Sequence, residues 1–195
     1  MRRTKRPSSL WVVVGASILF LPKIAMAQIE GFHVTVTPYG GWTIWDDKTN
    51  FWDKPMVGGR LGLMFGPRIG VEGDFAYIFA ETREGPTPYF LSGTGLQTED
   101  AKLYHVGADL HFNILPSSTF NPYLVAGYHW LKFESDDVAQ PKETYSGFEA
   151  GAGFKIRVAP RVSIRAEAKD ILFSFDSPPA PDDAMLHNFL LSGGI

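Results

Sequence analysis

The chain has 195 residues, a length that suggests one domain or at most two. Its 18 basic and 21 acidic residues leave a formal net charge of -3, which excludes an extended basic surface for nucleic acid. Cysteine is absent, so disulfide scaffolds, thiolate nucleophiles and cysteine-based metal sites are excluded as well. The 20 glycines and the aromatic content of 14% point towards short strands and turns.

The first 27 residues have the pattern of a secretory signal peptide. A positively charged start precedes an apolar stretch at 10–21, and the small residues at 25–27 suit signal peptidase. Twelve apolar residues are too few to span a bilayer, which takes about 20. We therefore predict a cleaved signal peptide at 1–27 and one mature domain at 28–195.

Apolar and polar residues alternate with a period of two along the whole mature chain, which is the pattern of β-strands. On the fourth strand, for example, Val106 and Leu110 alternate with Asp109. The complete strands have about the 9–11 residues that a tilted transmembrane strand needs, whereas soluble strands average about 5–6. The eight predicted strands begin at Phe32, Val57, Ile69, Tyr104, Leu124, Gly147, Val162 and Met185.

Short and long connections between these strands alternate. The compact turns are 66–68, 115–121 and 159–161, and the longer polar segments are 46–55, 80–100, 134–144 and 174–184. Short turns at one end and long loops at the other are typical of an outer-membrane barrel. The fold class predicted is therefore all-β, an eight-stranded antiparallel up-and-down transmembrane β-barrel.

The alternation does not say whether the apolar face lies inside or outside the barrel. A soluble, lipocalin-like barrel that binds an apolar ligand would have it inside. The polar face is rich in glycine, however, as expected where eight strands crowd a narrow interior. We therefore predict that the apolar face points to lipid. The glycines are Gly58, Gly62, Gly70, Gly107, Gly127, Gly147, Gly151 and Gly153.

Charges on the polar face fall into cross-strand groups that could neutralise one another inside a small barrel. Hairpin register places Arg60 opposite Asp74 and diagonal to Glu72. The second predicted group consists of Lys155, Arg165 and Glu167.

Aromatic residues gather near the strand ends, where they suit two interfacial girdles. The girdle predicted by the long loops consists of Trp42, Trp45, Phe79, Trp130, Phe133 and Phe173. The girdle predicted by the short turns consists of Phe65, Phe112, Tyr123 and Phe154.

The segment 121–128, with the sequence NPYLVAGY, and the last strand with His187 and Asn188 resemble the OmpA/OmpX-like family of eight-stranded outer-membrane β-barrels. The resemblance covers essentially the whole mature chain. It implies a place in the outer membrane, contact with its lipids and lipopolysaccharide, and insertion by the barrel-assembly machinery. Family members usually end their last strand in an aromatic residue, whereas this sequence stops at Ile195.

Histidine and carboxylate side chains on the fourth strand raise the question of a metal site. At a rise of about 3.3 Å per residue, Asp109 and His111 could share an ion, whereas His105 lies too far along the strand. Zinc would also need ligands from a second strand. An interior hydrogen-bond network explains these residues better, so we predict no metal and no cofactor.

Some barrels of this size are enzymes that modify outer-membrane lipid, which requires a nucleophile beside a base. His129 and Glu149 face inward, and no His-x-Ser pairing, the motif of the lipid A deacylases that these barrels otherwise resemble, is present. The serines in or near the long loops are Ser92, Ser135 and Ser146. We therefore predict no catalytic residues and a protein that is not an enzyme.

The predicted function is passive: a monomeric integral barrel of the outer membrane with a structural or surface-interaction role. Its four external loops would stand on a rigid scaffold, and 80–100 and 134–144 are the segments predicted to meet an external partner. Eight strands leave an interior just wide enough for side chains, so a large pore is not expected. Two alternatives stay open, a lipid-modifying enzyme on the same barrel and a soluble periplasmic lipocalin-like barrel.

Overall fold

The computed structural model describes residues 32–49, 51–81, 100–135, 143–173 and 185–195. The predicted signal peptide and most of the predicted loops at 80–100 and 134–144 lie outside the described residues. Among the described residues, no helix is long and apolar enough to cross a membrane. The strands are β1 (Phe32–Ile44), β2 (Lys54–Phe65), β3 (Ile69–Glu81), β4 (Asp100–Asn113), β5 (Phe120–Ser135), β6 (Glu143–Ala159), β7 (Val162–Phe173) and β8 (Leu186–Gly194), with a 3-10 helix at Asp47–Thr49.

The eight strands form one closed antiparallel barrel. Each strand pairs with its neighbour in sequence, and β8 closes the barrel by pairing with β1 from Tyr39–Gly194 to Ile44–Phe189. The predicted fold class and all eight predicted strands are thereby confirmed. The turn from β2 to β3 passes through Gly66, whose φ of 73° lies in the left-handed region that glycine adopts readily.

Several strands continue beyond their predicted ends towards the long connections. β5 reaches Ser135, for example, although the alternation is clear only as far as Trp130. Beyond that point the inward side chains Leu131 and Phe133 are apolar and buried. Apolar residues on both faces hide the period of two, while the backbone ladder continues unchanged.

The apolar face of the barrel points outward and the polar face points inward. Leu110 is 64% exposed and Phe148 is 69% exposed, whereas their chain neighbours Asp109 and Glu149 are 4% and 2% exposed. A soluble lipocalin-like barrel requires the opposite arrangement. The lipocalin-like alternative is therefore wrong for this chain.

Glycines on the inner face make room for the side chains of the interior, as predicted. A β-carbon at Gly107 would overlap the Glu149 carboxylate, and one at Gly127 would overlap the Ala108 carbonyl oxygen and Asp109. By contrast, a β-carbon at the outward-facing Gly59 would meet nothing within 4 Å. The interior is therefore packed so closely that replacing Gly107 or Gly127 with alanine would cause a steric overlap.

The two predicted aromatic girdles are confirmed only in part. The members that face outward are Trp42, Phe79, Trp130, Phe65, Phe112 and Phe154. The assignment is wrong for Trp45, Tyr123, Phe133 and Phe173, which are buried inside the barrel.

Alternation explains three of these four errors. Tyr123 and Phe133 have the opposite parity to the outward-facing Trp130 on β5, and Phe173 has the inward parity of β7. Trp45 follows the last residue of β1 and turns inward with the connection to β2.

Candidate functional site

The interior of the barrel is closed at the end that carries the long connections. Trp45 and Phe51 lie 5.3 Å apart between ring centroids, and Phe51 stacks on Phe133 at 5.9 Å. Tyr145 continues this packing, 5.5 Å from Phe133 and 6.1 Å from Phe173. We call this group the apolar plug; its buried aliphatic members are Met56, Ile78, Leu103, Leu131, Ile171, Leu186 and Leu190.

The connection from β1 to β2 supplies the top of the plug, although its sequence predicts a polar segment. The Trp45 backbone N–H donates to Asp53 Oδ1 at 3.0 Å, and the Asp46 N–H donates to Asn188 Oδ1 at 3.0 Å. These bonds hold the connection over the barrel end, so that Trp45 and Phe51 are directed into the interior. Polar residues thus anchor a connection whose two aromatic side chains face inward.

Below the plug lie ionisable side chains that are each at most 5% exposed. We call them the ion-pair network: Arg60, Glu72, Asp74, Asp109, Glu149, Arg165, Glu167 and Lys169. Burying a single ionised group is costly, and the cost is offset only when partners surround it.

Arg60 connects the two halves of this network. Its Nε lies 2.7 Å from Asp74 Oδ2, and its Nη2 lies 2.7 Å from Glu167 Oε1. The predicted pairing of Arg60 with Asp74 is therefore confirmed. Nη2 also donates to Ser192 Oγ at 3.0 Å, and the guanidinium lies 4.1 Å above the Tyr39 ring centroid.

Arg165 is the centre of the half nearer the short turns. Its Nη2 lies 2.5 Å from Glu167 Oε2, its Nη1 binds both carboxylate oxygens of Glu72, and its Nε donates to Tyr123 Oη at 2.6 Å. The pairing of Arg165 with Glu167 was predicted from the hairpin. The contact with Glu72 joins β7 to β3 across the lumen.

Lys155, which was predicted to group with Arg165 and Glu167, lies next to His111 in this half of the network. Its Nζ is 3.1 Å from His111 Nε2 and 5.0 Å from the Tyr123 ring centroid. Beyond it, at the short-turn end, the interior opens into a cavity of about 480 Å³ lined in part by His33, Asn121 and Arg157.

Lys169 is the centre of the half nearer the plug. Its Nζ lies 2.5 Å from Asp109 Oδ2 and 3.3 Å from both Asp74 Oδ2 and Glu149 Oε1. One ammonium group thus serves three carboxylates. His105 completes this half, since its Nε2 lies 3.0 Å from Glu149 Oε2.

Asp109 and His111, the pair considered as metal ligands from the sequence, do not converge. Asp109 binds Lys169, while His111 Nδ1 lies 2.9 Å from Glu72 Oε2. The group that does converge is His105, His129 and Glu149, whose nearest ligand atoms all lie within 4.8 Å of one another. His105 does lie too far along β4 to share an ion with His111. It converges instead with side chains of the neighbouring strands β5 and β6.

Of the three serines considered as nucleophiles, Ser146 has a described side chain, and that side chain does not meet the interior histidines. Ser146 lies on the outer face of β6, where its Oγ accepts a hydrogen bond from Tyr128 Oη at 2.8 Å. Ser92 lies outside the described residues, as does the side chain of Ser135.

A closed barrel with an apolar outer face and an ionised interior defines an integral membrane protein that crosses the bilayer with strands. The family model described as outer membrane protein beta-barrel domain matches residues 12–193. The chain belongs to this family, and its place is the outer membrane. The predicted family and localisation are thereby confirmed.

Solved structures of outer-membrane barrels share this fold. Neisserial surface protein A is 16% identical with a TM-score of 0.62, and the match covers 85% of this chain and 97% of that chain. The outer membrane protein OprG from Pseudomonas aeruginosa is 14% identical with a TM-score of 0.52, and the match covers 84% of this chain and 94% of that chain. No curated protein matches this chain.

Proposed function

We propose that this protein is a passive scaffold of the outer membrane, with a structural or surface-interaction role and no enzymatic activity. The filled interior carries the proposal. The apolar plug closes one end of the lumen, and the ion-pair network crosses the lumen below it. Among the described residues, this packing supports a lumen that is closed to large solutes and to a lipid chain.

The proposed orientation puts the short turns in the periplasm and the four long connections outside the cell. This asymmetry is typical of bacterial outer-membrane barrels. The segments 80–100 and 134–144 then meet the external partner, and the apolar plug lies beneath them on the outer side.

The proposed partners of the outer face are the membrane lipids and lipopolysaccharide. Exposed aliphatic side chains such as Leu61 and Val106 lie in the middle of the strands, and Trp42 and Trp130 lie nearer the long connections. Such a belt with aromatic edges matches the depth profile of a bilayer. We also propose that the barrel-assembly machinery inserts the protein and that it is a monomer. Because β8 pairs with β1, the closed barrel has no free sheet edge among the described strands that could pair with a second chain, which favours a monomer.

A lipid-modifying enzyme is the rival function. It needs an activated nucleophile near the membrane surface. Two of the described interior histidines, His105 and His111, contact carboxylates, the third, His129, is fully buried, and Ser146 contacts Tyr128 on the outer face. If lipid A mass spectra differed between cells with and without the protein, the scaffold proposal would give way to the enzyme.

Electrical recording tests the closed interior. Purified protein in planar bilayers is expected to show no stable single-channel steps under applied voltage, because side chains fill the lumen of an eight-stranded barrel. A 16-stranded porin in the same bilayer serves as the positive control, and a mock extract from cells without the protein as the negative control. Reproducible steps that the mock extract lacks would contradict the proposed scaffold.

A further inference from the structure

Three side chains from three adjacent strands converge beneath the apolar plug. His129 on β5 lies opposite Gly107 of β4 and Gly147 of β6. His105 of β4 and Glu149 of β6 each stand two residues from those glycines and are therefore its diagonal neighbours. A β-carbon at Gly107 would overlap the Glu149 carboxylate, so glycine at this position makes room for Glu149 beside His105.

His129 is fully buried, and its ring packs against His105 and Phe173 without a side-chain hydrogen bond among the described residues. The backbone of Phe148 lies near the ring, but neither Nδ1 nor Nε2 has a hydrogen-bond partner within the described part of the chain. His105 directs Nδ1 towards Asp74 Oδ1 at 3.6 Å and Nε2 towards Glu149 Oε2 at 3.0 Å. Buried polar atoms in native structures are nearly always satisfied, so the two unpartnered nitrogens of the fully buried His129 indicate a ligand beside this ring.

The charge around this space favours a cation. The one ammonium group of Lys169 contacts Asp74, Asp109 and Glu149, and Arg60 divides its contacts between Asp74 and Glu167. Among the described buried side chains there are five carboxylates against three lysine and arginine side chains, and the buried His105 and His111 also lie beside carboxylates. The fourth interior cation, Lys155, is only partly buried and lies beside His111 on the side of the short turns.

We propose that His105, His129 and Glu149 bind one divalent transition-metal ion, with zinc as the reference ion. Two imidazole nitrogens and one carboxylate oxygen are a ligand set that suits zinc. In a tetrahedral site with Zn–N distances of about 2.1 Å the ligand atoms lie about 3.4 Å apart. The three ligand atoms already lie within 4.8 Å of one another, and the proposed site requires side-chain rotations that bring them to that separation.

The ion changes few of the existing contacts. It replaces the 3.0 Å contact between His105 Nε2 and Glu149 Oε2, while Lys169 keeps the other carboxylate oxygen, Oε1. The bound ion joins β4, β5 and β6 directly below the plug. Its effect is therefore structural, and it adds to the scaffold without requiring any chemistry.

The test is zinc binding by untagged protein that has been folded in detergent. After equilibration with zinc and removal of free metal, elemental analysis is expected to find about one zinc per barrel. Zinc is also expected to raise the temperature at which the folded form is lost. His129→Gln, which removes no side-chain contact with another described polar side chain, is expected to bind zinc at least about tenfold more weakly, because even the loss of a supporting group around a metal costs that much.

Two histidine variants serve as controls. His111→Gln removes a buried histidine that lies outside the site, and His187→Gln removes an exposed one; both are expected to keep the stoichiometry. Cobalt provides a second readout, since a tetrahedral site gives a visible absorption spectrum that His129→Gln should abolish. The proposal is overturned if the wild-type protein binds no zinc, or if the folded His129→Gln variant binds it as the wild type does.

Discussion

Replacing Leu61 with arginine is expected to destabilise the membrane-inserted barrel by about 2–4 kcal/mol, because a charge near the bilayer midplane loses its hydration. Leu61 lies in the middle of β2 and is 58% exposed on the outer face. The preceding residue, Arg60, faces the interior, where Asp74 and Glu167 stabilise its charge. An arginine at position 61 would face lipid and would have no such partners.

Depth provides the internal control for this prediction. Phe65 lies on the same face at the last residue of β2 and is 47% exposed. Phe65→Arg is expected to cost only about 0–1 kcal/mol, since charges near the interface stay hydrated. Unfolding by urea in lipid vesicles measures both variants. Equal stability of Leu61→Arg and Phe65→Arg would mean that this face does not meet lipid.

Replacing Lys169 with methionine is expected to lower the free energy of unfolding by about 3–5 kcal/mol, the cost of leaving buried charges without their partner. The variant removes the ammonium group that contacts Asp74, Asp109 and Glu149 while it keeps the length of the side chain. Because methionine fills the space of the lysine side chain, the loss of stability measures the lost charge more than the creation of a cavity.

The same substitution at Lys54 is the matched control. Lys54 pairs with Glu81, but the two side chains are 30% and 32% exposed. Lys54→Met is therefore expected to cost about 1 kcal/mol or less. Adding Asp109→Asn to Lys169→Met should restore part of the lost stability, because one unpaired carboxylate is removed. A Lys169→Met barrel as stable as Lys54→Met would contradict the role given to the network.

The architecture could be predicted from the sequence because it follows from a local signal. A strand that faces lipid on one side and a narrow lumen on the other must alternate, and each residue carries that information without reference to distant ones. Turn lengths then set the hairpin register, which is why Arg60 was correctly placed opposite Asp74. The predicted signal peptide at 1–27 stays a prediction.

The contents of the interior were less predictable, for two physical reasons. Contacts across the lumen, such as Arg165 with Glu72, join strands that are not neighbours and depend on the stagger of the closed barrel. The plug was missed because aromatic residues near strand ends were assigned to the girdles by position alone. Parity would have placed Phe133 and Phe173 inside.

The group of His105, His129 and Glu149 lay within reach of the same reasoning. Each has the inward parity of its strand, and hairpin register makes the three diagonal neighbours. Asp109 and His111 were paired as metal ligands because both lie on the fourth strand. A search across adjacent strands would have found the converging set.

The most direct test of the account is cysteine labelling on intact cells, which the absence of native cysteine makes clean. Ser92→Cys lies in the predicted outer loop 80–100, and Ser118→Cys lies in the exposed short turn between β4 and β5. A membrane-impermeant maleimide is expected to label Ser92→Cys on intact cells, and Ser118→Cys only after the outer membrane is permeabilised. Labelling of Ser118→Cys on intact cells, or of Ser92→Cys only after permeabilisation, would contradict an outer-membrane barrel that presents its long connections to the outside.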